Sequence, residues 1–137
     1  MIRVTINVKS RQIRDDSILE TKHIGELYIN EHNFTLKYNE EILSDEPPCL
    51  TTVIVEKGMV TILREGNIKS RIVIEKDVEN NAMYVTPYGI TSLKITGKKI
   101  ECNITKHGGY VNLIYQTDEG NNSVTTTILN MKIKEVK

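Results

Sequence analysis

The chain has 137 residues, enough for one self-sufficient domain over 1–137, and its 18 Lys plus Arg balance its 18 Asp plus Glu. That balance excludes a global field steering the molecule toward nucleic acid or an anionic membrane, and a domain this size needs no metal or disulfide staple. Residues 1–9 alternate apolar with polar side chains instead of forming an export signal, and no run approaches a membrane span, so the expectation is a cytoplasmic chain with Cys49 and Cys102 reduced.

Taken in chain order, the governing signal is period two. Ile2, Val4, Ile6 and Val8 place their side chains on one face of an extended strand, with Arg3, Thr5, Asn7 and Lys9 on the other. The same alternation returns in Phe34, Leu36 and Tyr38, in Ile100, Cys102 and Ile104, and in Leu129, Met131 and Ile133. Residues 50–55, 59–63 and 72–74 are apolar on both faces, the pattern of strands covered on two sides or central in the sheet. Turn chemistry separates these runs at Asp15-Asp16, Lys57-Gly58, Glu65-Gly66-Asn67, Gly97-Lys98, His107-Gly108-Gly109 and 118–122. One segment breaks the rhythm: residues 40–49 carry four acidic side chains and Pro47-Pro48, which predicts the longest loop.

Connections this short forbid crossover helices, so neighbouring strands pair antiparallel in a meander. A long meander leaves two exposed edges unless it closes. The predicted fold is therefore all-β, one meander closed into a barrel of about eight to ten strands.

The landmarks Gly25-x-x-Tyr28, Leu36-x-Tyr38-x-Glu40, Ile62-x-Arg64-x-Gly66, Tyr84-x-Thr86-x-Tyr88-Gly89, Thr96 and Tyr115 span nearly the whole chain. In order and spacing they resemble the YwiB-like family of small bacterial proteins. The acidic segment with Pro47-Pro48 is not part of that pattern. The resemblance implies a calycin-type, lipocalin-like barrel, hollow or partly filled, and implies no reaction.

Tyr84, Thr86 and Tyr88 share parity, so three hydroxyls could line one polar pocket, although Pro87 marks a strand end or bulge. The structural alternative is that these tyrosines bury their rings and bond carbonyls at the rim. Arg64 shares parity with Val60 and Ile62, and Glu40 with Phe34, Leu36 and Tyr38. If those faces point inward, Arg64 serves either an anionic ligand, together with the tyrosines, or a structural pair with Glu40 that plugs one end. Arg71 is a possible substitute in either role.

His23, His32 and His107 show no ligand spacing, and no nucleophile elbow or phosphate loop is present, so the sequence favours a non-enzyme without metal or cofactor and leaves the question of an enzyme open. Cys102 reads as a small core side chain, and Cys49 as the more exposed loop thiol. Lys94, Lys98, Lys99 and Lys106, with Lys132 and Lys134, suggest a patch for RNA, but solvated barrel exterior explains them better. The reading is a barrel binding a small polar or anionic ligand through Arg64, Tyr38, Glu40, Tyr84, Thr86 and Tyr88. The alternatives are a filled barrel serving as a protein or RNA module, such as a homodimer, and an enzyme whose site the sequence does not reveal. Nucleic acid and membrane partners are disfavoured.

Overall fold

The protein is described by a computed structural model covering residues 1–14, 16–40, 48–120 and 123–136. Ten strands follow in order: β1 (Ile2–Gln12), β2 (Ser17–Ile29), β3 (Phe34–Glu40), β4 (Cys49–Glu56), β5 (Met59–Glu65), β6 (Lys69–Glu75), β7 (Glu79–Thr86), β8 (Gly89–Thr105), β9 (Gly108–Asp118) and β10 (Val124–Glu135). Each pairs antiparallel with its neighbour in sequence, and β10 returns to β1, with Ile6 opposite Ile133, to close the barrel. No helix among the described residues is long and apolar enough to cross a membrane.

Alternation sets the core. Val4, Ile6 and Val8 of β1 point inward and meet Leu27, Leu36, Val53, Val60, Ile62, Ile74, Val111 and Met131 in one buried cluster. The outer faces of the doubly apolar runs have no second layer among the described residues. Ile54 and Leu63 are half-buried on a sheet face, where cross-strand neighbours such as Thr61 and Thr52 shield them.

Two expectations need correction. Gly97-Lys98 is not a turn but an irregularity inside β8, a single strand of 17 residues. Gly97 pairs with Tyr115 and Lys99 with Ile114, so Lys98 is an extra residue that flips parity. Before it Leu93 and Ile95 face inward, and after it Ile100, Cys102 and Ile104 do. Cys49 is the second correction: it opens β4 in phase with Val53 and Val55, is only 3% exposed, and points its Sγ at the Ile68 carbonyl 3.7 Å away. Of the acidic segment, positions 41–47 lie outside the described residues.

The turns divide between two ends. One end carries the β2–β3, β4–β5, β6–β7 and β8–β9 connections, and its inward side chains, such as Phe34, Val55 and Ile104, are apolar. The β6–β7 turn uses Asp77 at φ 60, and its amide donates to the Gly97 carbonyl at 2.8 Å, tying the turn to the irregularity in β8. The other end is polar.

Candidate functional site: a polar barrel mouth

Toward that second end, strand after strand replaces its inward apolar residue with a polar one. Leu36 gives way to Tyr38 and Glu40, Ile62 to Arg64, Ile72 to Ser70, Ala82 to Tyr84, Leu113 to Tyr115, and Leu129 to Thr127. Register aligns them. Tyr38 pairs with Thr51, Thr51 with Arg64, Arg64 with Ser70, and Ser70 with Tyr84, a continuous row across β3 to β7.

Arg64 Nε donates to Glu40 Oε1 at 3.0 Å, and the two side chains are 21% and 18% exposed. The Tyr38 hydroxyl donates to the other carboxylate oxygen at 3.4 Å, and Tyr84 lies close enough to Arg64 for the two to interact electrostatically. Burial alone would lower the Arg64 pKa, but Glu40, Tyr84 and Tyr38 more than offset it, so the net direction is up and the guanidinium stays charged. Burial raises the Tyr84 pKa against the opposing pull of Arg64. Tyr38 is raised strongly, by burial first and then by Glu40.

Beside this pair a second chain of hydroxyls continues around the wall. Thr127 donates to Gln12 Oε1 at 3.1 Å, and Tyr115 stands opposite it in register, where burial, and next Tyr84, push its phenol up to about 12. His23 also points inward from β2, with its ring 4.7 Å from that of Tyr38 and Nε2 2.9 Å from Thr21 Oγ1. Thr51 Oγ1 and Ser70 Oγ, on either side of Arg64, are buried and have no hydrogen-bond partner among the described residues. Above the row, Thr86, Thr91, Thr117 and Thr125 line an open cleft of about 500 Å³ with Tyr84 and Tyr115.

Of the residues expected at the site, Arg64, Glu40, Tyr38 and Tyr84 come together, and Thr86 lines the outer cleft. Thr86 Oγ1 is engaged locally: it donates to the Gly89 carbonyl and accepts from the Tyr88 amide. Tyr88 does not join, contrary to the shared-parity expectation, because β7 ends at Thr86 and the hairpin turn leaves Tyr88 86% exposed. Arg71 lies on the outer face and cannot replace Arg64. Thr51, Ser70, Tyr115, Thr127, Gln12 and His23 are additions. Each follows an apolar alternation by one or two further steps of the same parity, the one signal that would have found them.

His32 and His107 are exposed, and no group of three metal-ligating side chains exists among the described residues. Cys102 packs against the core, and burial, then Glu101, push its thiol up to about 11, which leaves little thiolate for chemistry.

Residues 4–131 match the family described as a domain of unknown function, DUF1934. The chain is similar to the uncharacterized beta-barrel protein YwiB of Bacillus subtilis (strain 168): 28% identical over 120 residues, covering 85% of this chain and 82% of that protein. Its fold is that of the crystal structure of the ywiB protein from Bacillus subtilis, with a TM-score of 0.89 over 99% of this chain and 93% of that one, at 22% identity.

Proposed function

The chain belongs to the DUF1934 family, and from its polar mouth we propose that it is a binding protein, holding a small polar molecule in a lipocalin-like cup. The observation that carries the reading is the open cleft of about 500 Å³ at the mouth, where Tyr84, Thr86, Tyr115 and Thr127 present hydroxyls beside the Arg64–Glu40 pair. Arg64 and Glu40 cancel each other's charge, so a ligand rich in hydroxyl or amide groups suits the mouth better than a strong anion.

The apolar cluster below the row closes the cup, so the ligand enters from the polar end only. Lys9, Lys22 and Lys132 on the outer faces of β1, β2 and β10 are ill-suited to a lipid-facing band, in keeping with a cytoplasmic barrel.

The test is amide-detected NMR of the isotopically labelled protein during titration with a panel of sugars, nucleosides and small carboxylates. Binding is expected to shift the amides of Tyr84, Thr86, Tyr115 and Thr127 and to be lost in Tyr84→Phe and Tyr115→Phe, with melting temperatures establishing that both variants are folded. Shifts elsewhere, or a binding profile indifferent to both substitutions, would overturn the reading.

A further inference from the structure

Independently of the mouth, the outer wall carries a groove. Two clefts of about 500 and 530 Å³ share Asn7 and Lys132 and so run together across β2, β1, β10 and β9. Their floor is one register row: Lys22 opposite Asn7, Asn7 opposite Lys132, and Lys132 opposite Tyr110. At roughly 4.8 Å per strand the row spans about 14 Å. Lys9 and Lys134 lie two residues along their strands from Asn7 and Lys132, on the same outward face.

Lys9, Lys22, Lys132 and Lys134 make no ion pair among the described residues. The lysines of β8 differ: Lys94 sits 3.8 Å from Glu79 and Lys99 3.6 Å from Glu101. Glu20 is the one acidic side chain lining the groove among the described residues. A net charge of zero over the chain therefore conceals unpaired cations gathered on one face, and with a screening length of about 8 Å it is the local charge that a partner meets. Asn7 Oδ1, at the junction of the two clefts, is shut off from solvent and has no partner among the described residues, and Tyr110 at one end is 36% exposed.

We propose that this groove binds single-stranded nucleic acid, with phosphates on Lys9, Lys22, Lys132 and Lys134 and a base stacked on Tyr110. Cations along a groove with an aromatic platform are what an extended strand requires. A flat anionic membrane would meet only the rim of a recessed groove, whereas an extended strand can lie along it. Of the lysines the sequence suggested as a patch, Lys132 and Lys134 line this groove, whereas Lys94 and Lys99 already have acidic partners.

The experiment is fluorescence anisotropy with the full chain and a labelled oligouridylate of about 16 nucleotides at low salt. Lys22→Gln/Lys132→Gln is expected to weaken binding at least tenfold and to lower the log–log salt slope by about 1.4, roughly 0.7 per lost phosphate contact. Tyr110→Leu should weaken binding roughly five- to 150-fold with the slope unchanged. Lys94→Gln/Lys99→Gln should bind as the parent does, and equal melting temperatures establish that every variant is folded. The proposal is overturned by no binding at low salt, or by equal affinity for a duplex of the same length. Preference for phosphatidylglycerol vesicles or polyglutamate, or indifference to Lys22→Gln/Lys132→Gln, overturns it equally.

Discussion

Arg64 and Glu40 stand two strands apart and meet across the Thr51 position, Nε to Oε1 at 3.0 Å, in the neck where the apolar core gives way to the polar mouth. Removing one partner strands the other charge. Fully buried pairs lose about 3–5 kcal/mol on such a change and exposed ones under about 1 kcal/mol. Urea unfolding of Arg64→Met should fall between, at a loss of about 2–3 kcal/mol. Arg64→Met/Glu40→Leu should recover most of it, and a double variant as unstable as the single would show that the pair is not the cause.

Alkaline pH should loosen the barrel. Tyr115, held at about 12, is favoured as the neutral phenol in the folded state, while in the unfolded chain it ionises near its ordinary value of 10.0. Its contribution is therefore complete below pH 10 and is lost as pH rises toward 12. A two-unit difference amounts to roughly 2–3 kcal/mol. Denaturation curves on either side of this window should show the fall, and Tyr115→Phe should reduce it, with Tyr38, Tyr84 and Cys102, whose pKa values burial also raises, carrying the remainder.

At Gly97 the reason for glycine is steric. A Cβ there would collide with the Glu75 carbonyl, where the β6–β7 turn crosses β8. Gly97→Ala should cost about 1–3 kcal/mol, as overpacking does. At Gly58 an added methyl would meet nothing within 4 Å, but the backbone sits at φ 75, so Gly58→Ala should cost only about 1 kcal/mol, from backbone strain. Thermal unfolding of the two variants should rank them in that order.

The Cys102 thiol, raised to about 11, should resist alkylation. At pH 8 its thiolate fraction is on the order of a hundredfold below that of an ordinary cysteine. Iodoacetamide labelling followed by mass spectrometry should show that deficit in the native protein and its disappearance in denaturant.

Much of the barrel is legible in the chain because alternation is a local property. Whether Ile6 or Asn7 faces inward follows from the geometry of an extended backbone, without knowledge of any partner strand. The same logic puts Arg64 and Glu40 on inward faces. It fails where the chain departs from plain alternation: the extra residue at Lys98 reverses parity, and the end of β7 at Thr86 ejects Tyr88.

Strand content, the meander and the inward set are thus written in the order of the residues. Which inward polar residues share a level is not, because register and closure depend on pairing between segments far apart in the chain. Pairing is how Thr51, Arg64, Ser70 and Tyr84 came into one row, and how Lys22 met Lys132 across β1. Composition adds charges without positions, and the closed sheet assigns the positions.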